Sequence, residues 1–139
     1  MDKRLVALKG CRQNGKSESL MMVIGFIRKL YPAAGYISYE KDSKDEKCIF
    51  EDVDGLKIGI ETQGDPGCRL PQSLKDFSDA GCNVIICASR TRGCIVEAIE
   101  SYRRAYDIKF IAKKIVTADF EKANEEDAVK ILKELGLWK

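Results

Sequence analysis

Residues 5 to 27, LVALKGCRQNGKSESLMMVIGFI, set two apolar runs on either side of two glycines, a lysine and a serine. The first run, LVAL at 5–8, is short and unbroken, which suits a strand buried on both faces. The second places Leu20, Val23, Ile24, Ile27 and Leu30 at helical spacing, and Pro32 lies just past its end. A surface turn between a strand and a helix needs about one glycine; this one reads G-x-x-x-x-G-K-S from Gly10 to Ser17. Backbone N–H groups of such a loop point inward as an anion nest, and the helix N-terminus adds partial positive charge. Gly10 and Gly15 permit unusual backbone angles and a close approach to phosphate. Lys16 is placed to reach the β- and γ-phosphates of a nucleotide, and the Ser17 hydroxyl to hold Mg²⁺. Arg12, Gln13, Asn14 and Glu18 complete the set of expected nucleotide-contacting positions, with Arg12 facing either ligand or solvent.

The rest of the chain fits a globular domain. The sequence has 139 residues, 45% apolar and 33% charged, with a formal net charge of +2. That length suits a single domain over 1–139 with a real core. No basic block exceeds a pair, so no nucleic-acid footprint is expected, and no apolar run reaches membrane-spanning length. The four-residue apolar stretch near the N-terminus, LVAL, is too short for a signal-peptide core. The six cysteines include no CxxC pair and read as reduced thiols of a cytoplasmic protein. The absence of histidine excludes His-ligated metal sites and histidine general bases.

Strands and helices alternate along the sequence. KCIFEDVDGLKIGIE reads as a hairpin with its turn at Asp54-Gly55, and residues 41–47 read as an exposed loop. TQGDPG at 62–67 is dense in turn residues, and a short helix with Pro71 near its start ends at Gly81. CNVIICAS (82–89) is a second buried strand, followed by a helix that carries Ile95, Ile99, Tyr102 and Tyr106 on one face. IKFIAKKIV (108–116) is a strand. Asn124 is expected to cap a last helix that stops at Gly136.

On the motif at 10–17 and the order of its elements, the chain resembles the P-loop NTPase superfamily. The resemblance implies a three-layer α/β fold: a mostly parallel five-stranded sheet with one antiparallel edge strand. Members supply a second acidic group at the end of another strand, which holds Mg²⁺ through water. LKIGIETQGD is similar to the D-x-x-G element of Ras-like GTPases, with Glu61 in place of the aspartate, Gly64 as the glycine and Asp65 as a second carboxylate. That likeness places the chain in the kinase–GTPase branch, where strand 56–61 would lie beside strand 5–8. In the RecA-like branch another strand separates the two. The N-K-x-D tetrad that reads guanine is absent, so ATP is the default nucleotide by elimination.

Two arginines two apart follow the buried strand in VIICASRTRG (84–93). They fall on the carboxyl side of the sheet, where open α/β folds bind ligands. The segment is similar to the end of the fourth strand in small-molecule kinases such as gluconate kinases. Arg90 or Arg92 would there bind phosphate, stabilise a transferring phosphoryl group or stack on a base. Three functions follow from the resemblance. The first is Mg²⁺-dependent NTP hydrolysis, with Lys16 and the loop amides on the phosphates, Ser17 and Glu61 on Mg²⁺, and Glu61, Asp65 and Arg90 as the catalytic set beside Lys16. The second is a small kinase acting on a hydroxyl acceptor, and the third a nucleotide-binding module completed by a protein partner.

Overall fold

The computed structural model describes residues 3–11 and 15–139. Among these are six strands and four helices, with the second, third and fourth strands consecutive. The strands are β1 (Arg4–Lys9), β2 (Gly35–Lys41), β3 (Glu46–Val53), β4 (Leu56–Glu61), β5 (Val84–Ser89) and β6 (Asp107–Ala112). The helices are α1 (Lys16–Leu30), α2 (Leu70–Asp79), α3 (Cys94–Glu100) and α4 (Phe120–Glu134). The strands form one sheet in the order β2-β3-β4-β5-β1-β6. β4, β5, β1 and β6 run parallel, and β3 is antiparallel to both of its neighbours.

Side-chain alternation divides the core between the two faces of this sheet. Val6, Leu8, Ile58, Ile60, Val84 and Ile86 point to the face covered by α1 and α4. Leu5, Ala7, Ile85 and Cys87 point to the face covered by Leu70, Leu74 and Phe77 of α2 and by Ile95 and Ile99 of α3. β5 is buried at all six positions, which requires a neighbouring strand on each side and a helix layer on each face.

The sheet corrects the sequence-based order. β5 lies between β4 and β1, so strand 56–61 is not beside strand 5–8, and placement in the kinase–GTPase branch falls with that adjacency. The sheet has six strands rather than five, and its antiparallel member is internal rather than at the edge. The added strand is β2, which packs Tyr36 on Phe50 and leaves Ile37 and Tyr39 48% and 54% exposed. Its pairing with β3 shifts register between Ser38 and Glu40. Residues 41–47 lie outside strands only at 42–45, because the charges that made them look like loop are paired. Glu46, buried, accepts from the Tyr36 hydroxyl and faces Lys41, and Lys47 pairs with Asp76. The Tyr36 pKa is pushed up to about 12 by burial and by Glu46.

Three element boundaries also differ. α3 ends at Glu100; Tyr106 still enters the core, its hydroxyl donating to the Cys82 carbonyl at 2.7 Å. β6 stops at Ala112, where Asp127 of α4 draws the chain away by pairing with Lys113 and accepting from the Lys114 N–H. Asn124 is no cap: α4 begins at Phe120, after Asp119 in a left-handed conformation, and Asn124 is buried within it, 3.3 Å from the Ser19 hydroxyl. The hairpin turn at Asp54-Gly55 (φ 51° and 82°) and the stop at Gly136 (φ 72°) are as expected.

Candidate functional site

β1 ends beneath the N-terminus of α1, and the glycine-rich segment joins them. Gly10 donates its N–H to the Ser89 carbonyl, tying the start of the segment to the end of β5. Gly15, at φ 89°, precedes the first residue of α1, and a Cβ there would stand 2.5 Å from Asn124 Oδ1. Both the backbone angle and the closeness of α4 therefore call for glycine at this position. Arg12, Gln13 and Asn14 lie outside the described residues.

Lys16 is buried, and its Nζ donates to the carbonyls of Gly10 (3.0 Å) and Cys11 (2.6 Å). The loop's own carbonyl oxygens thus accept from two of the ammonium's three N–H donors. Burial lowers the Lys16 pKa; Asp65 works against that shift and Arg90 adds to it. These three side chains therefore share one electrostatic environment.

Lys16 opens onto a cleft of about 930 Å³, walled by Gly15, Ser17 and Glu18 on one side and by residues 62–68 on the other. The turn at 43–45 closes one end. Two features shape the far wall. Gly64 lies so close to β5 that a Cβ on it would meet backbone atoms of Ala88 at 2.6 Å. Asp65, 65% exposed, reaches Arg90 Nη1 at 3.4 Å. Arg90 reaches the cleft only through Asp65 and does not itself line it; Arg92, exposed before α3, does not line it either.

Glu61 is placed differently from the expectation. Strand alternation turns it to the α2 face, opposite α1, with its side chain 0% exposed. Its Oε1 accepts from Arg69 Nε at 2.7 Å and from the Ser73 hydroxyl at 2.6 Å, and its Oε2 from the Gln63 N–H. The carboxylate is committed to anchoring α2 and the preceding turn, and the structure does not bring it to Ser17.

The residue that does meet Ser17 went unmarked in the sequence. Ser17 Oγ lies 2.6 Å from Asp45 Oδ1 and 2.7 Å from the Lys44 carbonyl. Thr62 donates its hydroxyl to the same Asp45 oxygen at 2.7 Å and accepts from the Glu46 N–H. A charged turn such as KDSKDEK gives no sequence signal for this, because the contact depends on strand direction. β3 runs antiparallel, so its first residues stand beside the last residues of β4, at the carboxyl end of the parallel strands, where Gly10 and Ser17 also lie.

Among the described residues, no group of three or more His, Cys, Asp or Glu side chains is placed to hold a metal by itself. Mg²⁺ needs no such group; it takes one or two protein oxygens and completes its shell with water and substrate phosphates. The Ser17 hydroxyl is a hard oxygen donor of that type, and Asp45 is the carboxylate that stands against it. No helix among the described residues is long and apolar enough to cross a membrane. Comparison with protein-family models, with curated proteins and with solved structures gives no match.

Proposed function

We propose that this chain is a P-loop protein that binds a nucleoside triphosphate, ATP by default, with Mg²⁺, and hydrolyses it. The observation that carries the reading is Lys16, held between two loop carbonyls at the mouth of the cleft, at the end of a G-x-x-x-x-G-K-S segment between strand and helix. The strand order, with β5 between β1 and β4, is the one expected of the RecA-like branch. It supports a three-layer P-loop fold of that branch.

In this reading Lys16 exchanges the Gly10 and Cys11 carbonyls for phosphate oxygens, and the α1 N-terminus faces the same charge. Mg²⁺, when bound with the nucleotide, offsets charge on the terminal phosphates. Asp65 orients the attacking water and Arg90 stabilises charge on the phosphoryl group as it transfers. The water oxygen bonds to the γ-phosphorus, one of its protons passes to the released phosphate, the bond to the β–γ bridging oxygen breaks, and that bond's electron pair leaves with the nucleoside diphosphate. The cleft extends beyond Lys16 to Cys68, which also leaves room for a hydroxyl acceptor in place of water.

The test is a panel of ATP, GTP, CTP and UTP, with Mg²⁺ and with EDTA, followed by calorimetry and by phosphate release. Saturable binding of at least one triphosphate supports the reading, and binding of none overturns it. Release of phosphate without an added acceptor selects hydrolysis over kinase activity.

A further inference from the structure

We infer that Asp45, carried by the turn between β2 and β3, is the carboxylate of the divalent-cation site, with Thr62 as its positioning residue. The inference rests on the nucleotide reading above and assigns the metal role that Glu61 was expected to fill.

Three observations support it. The first is convergence: hydroxyls from two distant segments, Ser17 of α1 and Thr62 after β4, both lie within hydrogen-bond distance of Asp45 Oδ1. A serine hydroxyl that shares a lone pair with a cation becomes a stronger donor, and a carboxylate is the acceptor it then needs. The second is support from the surrounding backbone. Thr62 exchanges two hydrogen bonds with Glu46, its N–H donating to the Glu46 carbonyl and its hydroxyl accepting from the Glu46 N–H. Asp42 Oδ1 accepts the N–H groups of both Lys44 and Asp45. The carboxylate is thus held from both sides rather than carried on a free loop. The third is position, because Ser17, Asp45 and Thr62 line the same cleft as Lys16, whereas Glu61 lies across the sheet.

The chemistry is that of an outer-sphere carboxylate. Asp45 fixes the Ser17 hydroxyl and accepts from water on a hard divalent cation such as Mg²⁺ or Mn²⁺. Asp45 also carries negative charge close to where nucleotide phosphates would lie. Without a cation it repels them; with one it contributes to their binding.

That gives the assignment a signature of opposite signs. Nucleotide affinity is to be measured by calorimetry in EDTA and in Mg²⁺, for the wild type and for Asp45→Asn, Asp45→Glu, Thr62→Val and Glu61→Gln, each checked for a native melting transition. Asp45→Asn should bind the nucleotide in EDTA as tightly as the wild type or more tightly, yet lose about tenfold or more of the Mg²⁺-dependent gain. Asp45→Glu should restore part of that gain, and Thr62→Val should lose a smaller share. Mn²⁺ in the nucleotide complex, followed by electron paramagnetic resonance, should bind correspondingly more weakly to Asp45→Asn. A wild-type Mg²⁺ response in folded Asp45→Asn would overturn the assignment, as would a response lost in folded Glu61→Gln but kept in Asp45→Asn. A wild type that binds no nucleotide under either condition would overturn the nucleotide reading itself, a result distinct from these two.

Discussion

Lys113 and Asp127 form an ion pair at 2.9 Å with their side chains 1% and 5% exposed, beside the turn that carries Gly15. The same Asp127 oxygen accepts the Lys114 N–H at 3.0 Å, so one carboxylate both ends β6 and docks α4. Breaking a buried pair leaves one charge without compensation. Asp127→Ala should cost about 3–5 kcal/mol of stability, and Lys113→Met with Asp127→Leu should recover most of it. Urea denaturation of the three proteins measures both. A loss within about 1 kcal/mol for the single variant, as for an exposed pair, would show that the pair is not buried in solution.

Lys16→Ala should leave the fold intact and weaken triphosphate binding by about 10- to 100-fold, since hydrogen bonds to charged groups are worth about 1.5–3 kcal/mol. Calorimetry on folded variant protein tests this. Unchanged affinity would place the phosphates elsewhere.

The lowered Lys16 pKa gives a pH signature. In the free protein the ammonium loses its proton at lower pH than an ordinary lysine, because burial disfavours the charge. This group therefore opposes folding while it is charged in the native state. That penalty declines as pH rises from the lowered native pKa toward the unfolded value. Phosphate favours the charged form, so nucleotide binding at alkaline pH should take up protons, and affinity should fall as pH rises through that range. Calorimetry in buffers of different ionisation enthalpy reads the uptake directly. No uptake would mean that Lys16 does not meet the phosphates.

Arg90→Ala should lower turnover far more than affinity, on the order of 10³-fold if Arg90 acts on the transferring phosphoryl group. Equal losses in rate and affinity would instead mark it as a ground-state contact. Arg92→Ala, at the exposed position before α3, is the comparison to Arg90, which pairs with Asp65, and steady-state phosphate release with calorimetry separates the cases.

Two glycines should respond in opposite directions to the same substitution. Gly25 stands in α1 with open space where a Cβ would go, so Gly25→Ala should stabilise by about 0.5–1 kcal/mol. Gly64→Ala would force a methyl against the Ala88 backbone and should cost about 1–3 kcal/mol. Thermal melts of both variants are sufficient to check the signs.

The elements that could be read from the sequence are those with strong one-dimensional signals. The unbroken run at 5–8, all but the first two residues of the expected strand at 82–89, the helical spacing from Leu20 to Leu30 and the Asp54-Gly55 turn appear where the residues put them. Sheet order was not legible, because adjacency is settled by which strands bury both faces, and the all-buried 84–89 run takes the place beside 5–8. β2 was hidden because its outward side chains have no buried alternation. Asp45 was hidden because its partners are 28 and 17 residues away and meet it only through an antiparallel strand. Glu61 was read correctly as the end of its strand, but the period of two turned it to the other face.

The register shift in β2 bears on how the chain behaves at high concentration. β2 is the outermost strand on its side of the sheet, with Ile37 and Tyr39 exposed on it. A straight apolar rim of that kind is a template on which further copies extend the sheet into fibrils. The shift between Ser38 and Glu40 interrupts the ladder just beyond Ile37 and bends the rim, and the charges of Glu40 and Lys41 follow. The irregularity thus acts as a guard against unlimited growth. A variant with regular pairing through Ser38–Glu40 would lose that guard.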